Sequence, residues 1–226
     1  MVELTSALEE EGTNVFHVPF LMYCFPSPTK KFPSSYERPY FVSYVSRNCR
    51  DNRDKLFTLL LEKSSNLKAH ATGYCKNNME KIEKESPKVH NQIVQSLESR
   101  ENYCKNENFY KNYRFVIVME SQNKEGYLTE KIAKAFEAGA VPIYWGSGDY
   151  VKKIYNVKAM IRVEDFQTLE ECADYIMKVE NDRSLYNRII NEPIFANTVI
   201  PDIYKGENSE LFRTIANLVK KGVPIN

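Results

Sequence analysis

The run from Arg114 to Ser147 constrains this chain most. An apolar, β-branched segment, Phe115-Val116-Ile117-Val118-Met119, reads as a buried strand. A carboxylate, Glu120, follows at once, and a polar, turn-forming segment runs from Ser121 to Gly126. A helix is expected to open at Tyr127-Leu128-Thr129-Glu130-Lys131, with Ile132, Ala135 and Phe136 as its apolar positions. A second buried strand, Val141-Pro142-Ile143-Tyr144-Trp145, ends on Gly146-Ser147. Strand, loop, helix and strand make one βαβ unit, the building block of a parallel sheet. Ligands of such sheets bind outside the carboxyl ends of the strands. Those ends carry Glu120, Tyr127, Glu130, Lys131 and the Trp145-Gly146-Ser147 corner.

The rest of the chain repeats the alternation. Val15 to Phe25 reads as a strand or extended apolar segment, and Pro26, Pro28 and Pro33 mark a connecting loop. Tyr40 to Val45 reads as a parallel-type strand. A loop with Arg47 and Arg50 leads to a helix from Arg53 to Lys63, with Asp51 or Asn52 as its N-cap. Leu67 to Thr72 reads as a short strand ending at Gly73. An amphipathic helix is expected within Ile82 to Leu97, broken near Pro87. A short helix follows Gly146, and Ala159 to Val163 reads as a strand. Helices are expected over Leu169–Val179 with Thr168 as N-cap, over Asp182–Asn191, and over Glu207–Lys221. This pattern predicts an α/β, Rossmann-like domain with a mostly parallel sheet.

Composition narrows the chemistry. A net charge of +1 gives no reason to expect nucleic acid as a partner. The five cysteines form no CxxC pair and the three histidines are scattered. A structural zinc site and a dense disulfide framework are therefore not expected, and the cysteines read as free thiols. The acidic N-terminus lacks the basic and apolar regions of a signal peptide, and no apolar run is long enough to span a bilayer. The expectation is a soluble, cytoplasmic or otherwise intracellular protein.

The candidate site residues each have an ordinary structural explanation. Glu130 in a first helical turn is favoured by the helix dipole alone. Lys131 is harder to explain, because a cation there is unfavourable unless an anion meets it, as a bound phosphate would. Tyr127 is one of 15 tyrosines, most of which must be structural. Glu120 ends a buried strand, where an ionised group needs a partner or a ligand. Arg53 lies at the start of a helix that follows another strand. The chain has no Walker A, GxGxxG or GxSxG pattern, and no Asp-x-Asp pair for a divalent metal.

The segment GYLTEKIAKAFEAGAVPIYWGS resembles the signature of the α-1,3/1,4-fucosyltransferases, the GDP-fucose-dependent glycosyltransferases of family ten, closest to their soluble bacterial branch. The resemblance extends to YFVSYVSRNCRDNRDKLFTLLLEK, LKAHATGYC and IRVEDFQTLEECADYI, roughly residues 15 to 195. It implies the C-terminal, donor-binding lobe of a GT-B enzyme and inverting transfer of L-fucose from GDP-fucose to an oligosaccharide. Arg53 and Lys131 would neutralise the diphosphate. Glu130 would bind the ribose or fucose side of the donor, and Tyr127 would line that pocket. Glu120 takes the place of the family's carboxylate, and Ser121 stands where the family has asparagine. No metal or other cofactor is obligatory in this scheme. Residues 40–226 would form the donor domain and residues 1–39 a remnant of the acceptor lobe. That lobe supplies the family's general base, so a partner chain or domain would have to provide it. Two alternatives remain: a GDP-sugar-binding module without catalysis, and a related transferase using another nucleotide sugar.

Overall fold

A strand that is apolar along its whole length needs neighbours on both edges and a layer on both faces. The computed structural model describes residues 3–5, 15–18, 24, 27–46, 48–65, 67–76, 78–98 and 104–223. Its strands are β1 Glu3–Thr5, β2 Val15–His17, β3 Tyr40–Ser46, β4 Ala69–Gly73, β5 Tyr113–Met119, β6 Val141–Trp145 and β7 Ile161–Arg162. Its helices are α1 Asp51–Lys63, α2 Met79–Glu85, α3 Pro87–Glu98, α4 Glu107–Tyr110, α5 Glu130–Glu137, α6 Tyr150–Ile154, α7 Leu169–Asn181, α8 Arg183–Asn191 and α9 Glu210–Lys220. The main sheet has the order β4-β3-β5-β6-β7, and every pair in it is parallel. β5, apolar from Phe115 to Met119, takes the centre and is buried at every position. β1 and β2 pair in a separate parallel ribbon.

The pleat sends alternate residues of β5 into two cores. Val116 and Val118 pack with Ile132, Phe136 and Ala133 of α5. Phe115, Ile117 and Met119 pack with Leu56 and Leu60 of α1 and with Ile176 and Val179 of α7. Fully burying each large aliphatic side chain contributes roughly 1.5–3 kcal/mol, so these layers fix the sheet order.

Several boundaries depart from the sequence expectation. The central helix opens at Glu130, not Tyr127, because Thr129 is extended and its hydroxyl caps the helix. α1 opens at Asp51 with Arg50 as N-cap, and neither Asp51 nor Asn52 caps it. Asn52 Oδ1 accepts instead from the Arg53 N–H at 2.9 Å. The break near Pro87 is real: α2 ends at Glu85 and Pro87 occupies the first turn of α3, where its missing N–H costs nothing. The last helix begins at Glu210, because residues 206–208 form a separate 3-10 turn. Arg47 and most of the segment 15–25 lie outside the described residues.

The free-thiol expectation is overturned. Cys24 bonds Cys104 and Cys49 bonds Cys75, while Cys172 alone is free and buried. The partners are 80 and 26 residues apart, so no local spacing announces them. Cys49 and Cys75 meet because β3 and β4 are parallel neighbours whose exits lie side by side. Disulfides persist in oxidising compartments, so these pairings lend no support to a cytoplasmic location. Among the described residues no helix is long and apolar enough to cross a membrane.

At the amino end of β5, Arg114 Nε donates to Glu180 Oε2 at 2.8 Å, and its Nη2 reaches Oε1 of the same carboxylate. Both side chains are almost wholly buried. Removing one partner strands a buried charge, so Glu180→Ala should lower unfolding free energy by about 3–5 kcal/mol in urea titrations. His70 offers a pH test. It is buried, its Nδ1 lies 2.8 Å from the Tyr113 hydroxyl, and burial lowers its pKa against the pull of Glu85. Below about pH 6.5 the unfolded chain binds a proton that the folded chain resists, so stability is kept above that value and lost as pH falls through it. His70→Gln should flatten this part of the urea-midpoint profile against pH.

Candidate functional site

The carboxyl ends of β3, β5 and β6 bring most of the sequence-identified residues to one edge of the sheet. Glu120 is the first residue after β5, and its amide donates to the Trp145 carbonyl at 2.8 Å. That bond extends the ladder by one residue and turns the carboxylate into the sheet edge. Glu120 is 1% exposed. Its Oε1 accepts from the Thr129 backbone N–H at 2.9 Å and from the Thr129 hydroxyl at 2.8 Å. Lys131 Nζ stands 3.2 Å from Glu120 Oε2 and 2.9 Å from Thr129 Oγ1. The anion that the lysine requires at this helix start is therefore supplied by the chain itself. Burial pushes the Glu120 carboxyl up, while Lys131 and the Thr129 donors pull it back. Burial opposes the Lys131 ammonium, but Glu120 and Glu130 outweigh it and hold its pKa above the usual value.

Arg53 approaches from the neighbouring strand. It sits in the first turn of α1 and is 4% exposed. Nη1 makes two long contacts, to Ser46 Oγ at 3.4 Å and to the Met119 carbonyl at 3.5 Å. Its Nε and Nη2 are buried and make no hydrogen bond. Met119 adjoins Glu120, so Arg53 and the Glu120–Lys131 pair flank the same strand end. A buried guanidinium with unmet donors is costly unless an acceptor meets it, and its planar fork suits a carboxylate or phosphate.

Tyr127 joins through the Ser121 hydroxyl, which donates to the Tyr127 hydroxyl at 3.1 Å. Glu130 is 9% exposed in the first turn of α5. Gly146 follows β6 with φ +128°, and a Cβ there would lie 2.7 Å from Glu120 Cβ. Glycine thus lets the corner close over the carboxylate.

Three residues that the sequence did not single out hold this corner. Glu164 Oε1 accepts from the Gly146 N–H, Asn123 Oδ1 from Gly148 and Glu125 Oε2 from Asp149, each at 2.8 Å. Only the fold reveals Glu164, which comes from beyond β7. Thr129 carried a usable signal, a threonine directly before an acidic helical turn.

One group of candidate metal ligands exists among the described residues, Cys49, Asp54 and Cys75. Its two sulfurs are bonded to each other and do not act as thiolates. A cavity of about 420 Å³ lies elsewhere, beside β7 among Met160, Phe166, Tyr175 and Ile189. It contains none of the sequence-identified residues.

Thr129 combines a helix cap with two of Glu120's hydrogen bonds. Thr129→Ala should cost about 1–3 kcal/mol in chemical denaturation, from the lost cap and the under-satisfied buried carboxylate. An unchanged midpoint would contradict this geometry.

Comparison with known proteins agrees with the α/β sheet. A family model described as glycosyltransferase family 10 (fucosyltransferase), C-terminal, matches residues 36–191, more than half of the chain. An alpha-(1,3)-fucosyltransferase of Helicobacter pylori is 37% identical over 89 residues, covering 39% of this chain and 18% of its own length. The human GDP-fucose protein O-fucosyltransferase 3 is 31% identical over 78 residues, covering 34% of this chain and 16% of its own. The crystal structure of an alpha1,3-fucosyltransferase with GDP-fucose superposes with TM-score 0.66 at 17% identity, over 98% of this chain and 69% of that one. The matched stretches thus take in less than a fifth of either curated relative, while the α/β fold is shared along almost the whole chain. With a matched region that contains β3 to β7, Arg53, Glu120 and the Thr129-Glu130-Lys131 turn, the chain belongs to glycosyltransferase family 10, the fucosyltransferases, in its C-terminal part.

Proposed function

We propose that this chain binds GDP-fucose and contributes to inverting transfer of L-fucose to a hydroxyl of an oligosaccharide acceptor. Family membership supports fucosyl transfer. The observation that carries the donor assignment is Arg53, a buried guanidinium with two unpartnered nitrogens at the sheet edge. A diphosphate is the acceptor that such a fork fits.

In this reading Arg53 binds the diphosphate through two parallel N–H bonds. Lys131 turns part of its charge from Glu120 to the same group. Glu130 accepts from hydroxyls on the ribose or fucose side, and Tyr127 with Ser121 lines the pocket. During transfer the acceptor oxygen bonds to the anomeric carbon as the bond to the β-phosphate oxygen breaks, and a base takes the acceptor proton. The negative charge that grows on GDP falls on Arg53 and Lys131, which stabilises the transition state more than the ground state. No metal is needed to balance that charge. In this reading the base is none of the residues placed at this edge and belongs to an acceptor-binding lobe.

Calorimetric titration should show GDP-fucose binding to the wild type, weakened about tenfold or more by Arg53→Lys, which keeps the charge but loses the fork. With an acceptor lobe present, Arg53→Ala should reduce transfer to N-acetyllactosamine-type acceptors by about 10²–10³-fold. Stabilisation by UDP-sugars alone would exclude the GDP-fucose reading. A second reading, donor binding without catalysis, fits the same observation, because the unmet Arg53 donors speak to a diphosphate and not to transfer. GDP-fucose binding with neither transfer nor slow donor hydrolysis would select it.

A further inference from the structure

The Cys49–Cys75 disulfide lies next to the element that carries Arg53. Cys49 is exposed in the loop between β3 and α1, four residues before Arg53, and Cys75 is buried just past β4. The strand exits are already close. Gly73 pairs with Ser46, a Cβ on Gly73 would come 2.3 Å from the Ser46 carbonyl oxygen, and the Tyr74 N–H donates to that oxygen at 3.0 Å. Past Ser46, among the described residues, the loop is held by few side-chain bonds. The Ser46 hydroxyl donates to the Asn48 carbonyl at 2.8 Å, and the N-cap residue of α1, Arg50, makes no side-chain capping bond. Asp54 sits beside Arg53 with its carboxylate within 4.8 Å of both sulfurs, and it accepts from the Tyr44 hydroxyl at 2.6 Å. The start of α1 is thus held by a covalent link on one side and a buried tyrosine on the other. Arg53's own contacts, at 3.4 and 3.5 Å, are too long to hold the guanidinium by themselves.

We propose that the Cys49–Cys75 disulfide is a positioning strap for Arg53, so that the affinity of the site for a nucleoside diphosphate depends on whether these two cysteines are bonded. The proposal rests on Arg53 as a diphosphate ligand. A dithiol reductant opens the strap: it gives two electrons and two protons, the S–S bond becomes two thiols, and the reductant closes to its own disulfide. The exposed position of Cys49 gives that reductant access. Once the strap is open, the loop samples arrangements in which the guanidinium is displaced. Apparent affinity then falls in proportion to the fraction of time that Arg53 is in place.

The test compares the oxidised full chain with the pair variant Cys49→Ser/Cys75→Ser and, as control, Cys24→Ser/Cys104→Ser. GDP is the titrant, and amide hydrogen exchange is read at residues 50–56 and in β5. The proposal expects Cys49→Ser/Cys75→Ser to weaken GDP about tenfold, as for a loop competent a tenth of the time. It also expects faster exchange at residues 50–56, with β5 still protected and GDP affinity kept in the control. Unchanged GDP affinity in the Cys49/Cys75 variant overturns it. So does equal weakening in both variants, which would mean that the bond acts only through general stability. If the oxidised wild type does not bind GDP, the donor reading is what fails. The exchange arm then decides the strap by itself: faster exchange at residues 50–56 supports it, and unchanged exchange overturns it.

Discussion

The contact on which this structure depends is the buried carboxylate of Glu120 with Thr129 and Lys131. It joins the carboxyl end of the central strand to the first turn of the helix that packs against it. An isolated charge at 1% exposure would be prohibitively costly, and three donors from one helix start offset part of that cost. The arrangement requires threonine at the cap, lysine two residues later and glycine at position 146, where any Cβ would strike Glu120. Local structure, packing and charge thus agree at this point, and Glu130 is carried to the sheet edge as a result.

The internal pair also changes what Lys131 means. At the sequence level a lysine in a first helical turn asks for an external anion. In the fold Glu120 already answers it, so Lys131 alone is weak support for a phosphate. Arg53 carries the argument instead, because its Nε and Nη2 have no protein acceptor. Two cations in one site can differ in this way: one holds the scaffold charge in balance and the other is left with unmet donors. A ligand phosphate would draw on both.

Much of the fold was legible because its signals are local. The continuous apolar, β-branched run from Phe115 to Met119 reads as a two-sided strand, and Pro87 marks a helix start or break. The gathering of Glu120, Tyr127, Glu130 and Lys131 at one sheet edge was legible as far as the βαβ unit reaches. What escaped depends on contacts distant in sequence. Glu164 reaches Gly146 across a strand pair, and Cys49 finds Cys75 only after β3 and β4 are aligned. The two disulfides also could not be read from spacing, since each closes a long loop through the topology. The capping error at α1 has another origin: Asp51 and Asn52 are both good caps, yet the chain turns one residue earlier and uses Asp51 inside the first turn.

The central claim is that the Arg53 guanidinium receives the diphosphate of a nucleotide sugar at the carboxyl edge of the sheet. The most direct measurement is a crystal structure of the chain with GDP-fucose. The account predicts phosphate oxygens within about 2.7–3.0 Å of Arg53 Nε and Nη2, with Lys131 on the same group. Diphosphate density elsewhere, with Arg53 still unpartnered, would contradict it.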